Sequence, residues 1–161
     1  AWISADSIDD GSLEYTIPAA DLGISEGEGR AYGNVQVFEK TDGGVVVGLT
    51  TNMCSEGMCM GQLLFLDYNG GKWEDVSSDL APQPDNDEVI KILRAAPAFE
   101  KKDSLKDSVQ VPLSITFSGS EKLVQFTAGE TEKISDSGVV AKMFKWNGVT
   151  FVEYETPESP E

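Results

Sequence analysis

The chain has no histidine. That absence removes Ser-His-Asp and Cys-His nucleophile arrangements and every histidine-bound metal centre. No glycine-rich phosphate loop occurs. Cations are scarce as well: 12 Lys and Arg against 28 Asp and Glu leave a formal net charge of −16. A surface of that sign repels phosphate backbones and anionic lipid, which argues against nucleic acid and basic membrane anchoring as partners. No apolar run approaches the ~20 residues that a spanning helix needs. The 28 carboxylates offer many accidental pairs for glycoside hydrolysis, but no spacing nominates one. The reading is therefore non-enzymatic, with no cofactor and no assigned metal ligand.

What is present is a repeat. Asn69-Gly70 recurs as Asn147-Gly148, an offset of 147 − 69 = 78. At that offset Val35, Val37, Val45, Val46, Phe65, Leu66, Tyr68 and Trp73 fall on Leu113, Ile115, Leu123, Val124, Met143, Phe144, Trp146 and Phe151. Two copies of one four-stranded unit follow. The first has strands expected at 32–40, 44–52, 60–68 and 72–76, the second at 111–118, 121–128, 138–146 and 150–154. Each Asn-Gly suits the centre of a type I′ hairpin turn. That register sets Leu66 opposite Trp73, Asp67 opposite Lys72 and Phe144 opposite Phe151. Leu63 to Leu66 is apolar at every position, which predicts a strand buried on both faces. Before the first repeat, Ser12 to Ile17 reads as a strand, and residues 1–11 as a loosely held polar arm anchored by Trp2.

The connector 77–109 is rich in Pro and Asp at its start. Asp85 or Asn86 caps an expected helix from Asp87 to about Ala96, with Val89, Ile90 and Leu93 on one face. Two four-stranded meanders are too few for a propeller but suffice for one core. The fold class is all-β with minor α: two antiparallel meander repeats, 32–76 and 110–154, packed as a sandwich or barrel in a single domain, with one short connector helix and a disordered tail over 156–161.

Cys54 and Cys59 flank a chain reversal, close enough for a disulfide. A structural disulfide belongs to an oxidising compartment, and the chain begins at Ala1 without methionine. Together they predict an exported protein: periplasmic, cell-surface or secreted. The run Met53-Cys54-Ser55-Glu56-Gly57-Met58-Cys59-Met60 gathers two thiols and three thioethers, soft ligands that suit Cu(I). The equivalent positions of the second copy, 131–138, hold no sulfur, so the shared fold does not demand it. Acidic groups at Asp6, Asp9 and Asp10, and at Asp85, Asp87 and Glu88, raise calcium as an alternative, yet neither has EF-hand order. Helix capping accounts for the second group. Tyr32, Tyr68, Trp73 and Trp146 are either a sugar-stacking platform or strand packing.

The stretch CSEGMCMGQLLFLDYNGGKWEDVS, with the later KMFKWNGVTFVEY, resembles uncharacterised β-rich proteins exported by bacteria. The resemblance implies export and a β fold, and brings no activity. The leading expectation is a binding domain for a protein or a surface glycan, through Met53, Glu56, Met58, Met60, Tyr68, Trp73 and Trp146. The alternative is a small-ligand or metal-binding protein using the sulfur-rich loop or the acidic clusters; a carboxylate-based hydrolase comes third.

Overall fold

Short strands joined by tight turns dominate the computed structural model, which describes residues 8–9, 12–23, 25, 29–55, 58–99, 102–106, 109–129 and 138–155. The expected arm with Trp2 and the tail over 156–161 lie outside the described residues, apart from Ile8–Asp9. Among the described residues ten strands run in chain order: β1 (Ile8–Asp9), β2 (Ser12–Ile17), β3 (Arg30–Glu39), β4 (Val45–Ser55), β5 (Met58–Asn69), β6 (Lys72–Asp75), β7 (Ser114–Ser118), β8 (Leu123–Ala128), β9 (Val139–Trp146) and β10 (Phe151–Glu153). The first six form one antiparallel meander and the last four another. The two sheets pack face to face as a sandwich that does not close into a barrel. β1 and β2 extend the first sheet beyond the four strands of the repeat.

Both Asn-Gly turns sit one residue later than expected. Asn69 pairs with Lys72, so Gly70 and Gly71 are the central residues, at φ 57° and 85°. Two positive φ values define a type I′ turn, and Gly-Gly meets them at less steric cost than Asn-Gly. Tyr68 therefore opposes Trp73, Leu66 opposes Asp75 and Asp67 opposes Glu74. Asp67 finds its cation on Lys40 instead, at 2.8 Å. In the second copy Phe151 opposes Trp146, and Phe144 opposes Glu153. There Gly148 alone takes positive φ, and the Asn147 carboxamide oxygen accepts from the amides of Val149 and Thr150.

The strand interiors alternate as half-buried strands should. Phe38, Val46 and Phe65 point between the sheets and meet Phe117, Val124, Phe126, Trp146 and Phe151. Phe38 lies 5.3 Å from Phe117 and 5.2 Å from Phe151, ring centre to ring centre, both edge to face. The connector supplies one helical turn, α1 (Ser77–Leu80), and the expected helix, α2 (Asn86–Ala95). Asp85 caps α2 by accepting from the amides of Asp87 and Glu88. Its Val89, Ile90 and Leu93 join the core.

β7 crosses the first sheet instead of running along it. Leu113 O accepts from Gly61 N on β5 at 2.8 Å. Two residues on, the Asn52 side chain on β4 donates to Ile115 O at 2.7 Å and accepts from Ile115 N at 2.6 Å. Two further on, Phe117 N donates to Asn34 on β3. Buried asparagine amides thus take the place of a neighbouring strand, and the cost of burying them is offset by these bonds.

Candidate functional site on the outer face of the six-stranded sheet

Residues of β2–β5 that alternate with the core positions form the opposite face of the first sheet. In β2 these are Leu13, Tyr15 and Ile17; in β3, Val35 and Val37; in β4, Val45, Val47, Leu49, Thr51 and Met53. β5 adds Met58, Met60, Gln62, Leu64, Leu66 and Tyr68, and β6 adds Trp73. The expectation that Leu63–Leu66 is buried on both faces fails here: Leu64 is 36% exposed. Phe65 fills the core while Leu64 and Leu66 stand on the other side of the pleat. Unbroken hydrophobicity marked a face that is apolar but uncovered, because β5 belongs to an antiparallel sheet with one open side.

Five of the seven nominated binding residues gather on this face. Met53, Met58, Met60, Tyr68 and Trp73 are all exposed, Met60 at 64% and Trp73 at 54%. The sulfur-rich loop is in fact a hairpin zipped almost to its tip. Met53 pairs with Met60, Cys54 with Cys59 and Ser55 with Met58. A disulfide joins Cys54 to Cys59 directly across the strands. Both thiols are consumed, leaving a Cu(I) site only thioethers. Glu56 lies outside the described residues.

Trp146 departs from the five on the face. It is 8% exposed, and its indole N–H donates to Glu39 O at 2.7 Å. Tyr32 is likewise buried, with the Arg30 guanidinium 5.2 Å from its ring centre. Of the expected aromatic platform, only Tyr68 and Trp73 remain at the surface. Their rings pack against each other, centroids 4.9 Å apart.

The face is almost free of charge. Among outward positions of β2–β6, only Glu39 and Asp75 are ionic, each at a strand end. The Asp75 carboxyl is held below its ordinary pKa by hydrogen bonds from the Ser77 hydroxyl and amide. Lys40 sits beyond the end of β3, its pKa raised by the hydrogen bond to Asp67. The polar groups within the face are few and mostly satisfied. Tyr15 lies over Gly33, where a Cβ would fall 2.6 Å from the phenol oxygen. That hydroxyl donates to Thr50 O at 2.6 Å and lies 2.7 Å from Thr51 Oγ1.

The acidic group at the start of α2 has other occupations. Asp85 caps α2, and Glu88 pairs with Lys142 at 2.8 Å. Lys142 is buried and also donates to Glu153. Burial disfavours its charge, but the two carboxylates more than compensate and raise its pKa. Asp6 and Asp10 lie outside the described residues. Among the described residues no three His, Cys, Asp or Glu converge as a metal site, and no helix is long and apolar enough to cross a membrane.

No protein-family model and no curated protein sequence matches the chain. In structure it is similar to a domain of an uncharacterized protein from Porphyromonas gingivalis W83. The TM-score is 0.57 at 12% identity, over 89% of this chain and 71% of that one. At that identity the likeness concerns the fold. An uncharacterised bacterial β-rich neighbour agrees with the resemblance drawn from the sequence.

Proposed function

We propose that this chain is a non-enzymatic binding domain of an exported protein, with the outer face of the six-stranded sheet as its contact surface. The observation that carries the reading is the continuity of that face. Exposed Met53, Met58, Met60, Leu64, Tyr68 and Trp73 border a floor of Val35, Val37, Val47 and Leu49, with charge only at the ends. Contiguous apolar surface of this extent is uncommon on a monomer and marks a place where something docks. A protein partner fits better than a glycan. Sugars need several convergent hydrogen-bonding groups beside an open aromatic plane, whereas here Tyr68 and Trp73 cover part of each other's rings. Export is supported by the Cys54–Cys59 disulfide, which suits an oxidising compartment.

The test is to place a charge on the face. Leu64→Asp should fold, with stability lowered by roughly 1 kcal/mol for a polar residue on an open sheet face. It should also cut bis-ANS fluorescence severalfold, while Val149→Asp, at an exposed apolar position on a turn of the second sheet, should not. A Leu64→Asp variant that fails to fold would mean that the face is core, and would end this reading.

A further inference from the structure

We propose that the occupant of the face is a second copy of this chain, docked about a twofold axis beside Gln62. The inference rests on the reading of the face as a contact surface and adds the identity of the partner.

Exposed apolar side chains of the face surround one polar group. Gln62 lies between Met60 and Leu64 along β5, with Met58 and Met53 nearby and Thr51 directly opposite on β4. Thr51 is already engaged by Tyr15, but among the described residues the Gln62 carboxamide makes no hydrogen bond. A purely apolar partner would bury its N–H and C=O groups unmet. A second Gln62 meets them, because two facing carboxamides exchange two N–H···O=C bonds. A twofold contact brings any residue near the axis against its own twin, so Gln62 is matched without a new surface having to be specified.

Area and charge agree. Five strands at ~4.8 Å spacing, each contributing about six residues at ~3.4 Å, give a flat footprint of roughly 500 Å². Side-chain relief brings that towards the ~800 Å² per partner of stable interfaces, so the dimer should be of modest affinity. Stacking two faces buries no like-charge pair, since Glu39 and Asp75 sit at strand ends. The net charge of −16 still repels at a distance. Salt should therefore strengthen the dimer, opposite in sign to its effect on a cationic partner drawn in by the same charge. The cross-strand disulfide keeps Met53, Met58 and Met60 on a stiff hairpin, which lowers the cost of ordering them on contact.

Sedimentation velocity of the disulfide-intact chain decides the matter, over roughly 5 to 500 µM, a range suited to an interface of this size, and at ~50 and ~500 mM NaCl. The expected result is a reversible monomer–dimer equilibrium shifted severalfold towards dimer at the higher salt. Gln62→Glu, which sets two carboxylates face to face, and Leu64→Asp should each weaken it about tenfold or more. Val149→Asp should leave it unchanged. A dimer that ignores Gln62→Glu and Leu64→Asp, or that dissociates as salt rises, overturns the proposal. So does a monomer under every condition. If that monomer's Leu64→Asp variant folds with reduced dye binding, the contact face stands and only its occupant is wrong; if the variant unfolds, both readings fall.

Discussion

Gly48 occupies a point where no other residue fits. A Cβ there would lie 2.7 Å from Phe117, 2.8 Å from Phe38 and 2.9 Å from Phe65. Three rings from two sheets close over its backbone, and each is locked by edge-to-face or tilted contacts with the others. Gly48→Ala should therefore cost about 1–3 kcal/mol, the range for overpacking a tight core. The check is the shift of the urea midpoint at unchanged slope. Single residues were also where the sequence was hardest to read. Tyr68 and Trp146 occupy equivalent positions, 78 apart, yet the first is exposed and the second buried. Trp73 and Phe151 divide in the same way, the latter packing against the core. Residue type and repeat position together could not tell an exposed aromatic from an interior one.

The cause lies at the scale of the strand. Val46 pairs with Asp67 in the first copy, whereas its equivalent, Val124, pairs with Phe144, one residue short of the position 67 + 78 = 145. The β8–β9 ladder also shifts register between Phe126 and Thr127. A slip of one residue turns every side chain of a strand to the other face. Thus the β9–β10 hairpin sends Trp146 and Phe151 inwards, while the β5–β6 hairpin sends Tyr68 and Trp73 out. Strand order, the connector helix and its cap were legible, because alternation, Asn-Gly turns and Asp85 are local signals. Facing was not, because it depends on pairing between strands. The disulfide too was legible from the reversal between Cys54 and Cys59. Its loop is so short that it removes little freedom from the unfolded chain. Reduction should lower stability by no more than roughly 2–3 kcal/mol, measured by urea unfolding with and without a phosphine reductant. A loss of ~5 kcal/mol or more would mean that the bond holds the sheet together and does more than close a hairpin.

The molecule as a whole keeps its two sheets in register through buried polar groups placed between them. Asn34 and Asn52 reach from the first sheet to the backbone of β7, and Trp146 reaches back from the second to Glu39. The Asn52 contact also bears on how the protein avoids growing into fibres. The outer rim of β7 is a sheet edge, and an edge with free N–H and C=O groups recruits strands from other chains. Asn52 occupies both groups of Ile115 from inside the fold, so the edge is spent before a neighbour can find it. Asn52→Leu should then do two separable things. Leaving Ile115 N–H and C=O unmet should cost about 2–4 kcal/mol. It should also shorten the lag of thioflavin-positive aggregation beyond that of Gly48→Ala at the same folded fraction. Equal lags would mean that Asn52 guards stability alone; a shorter one would make a single buried amide the molecule's barrier to templated assembly.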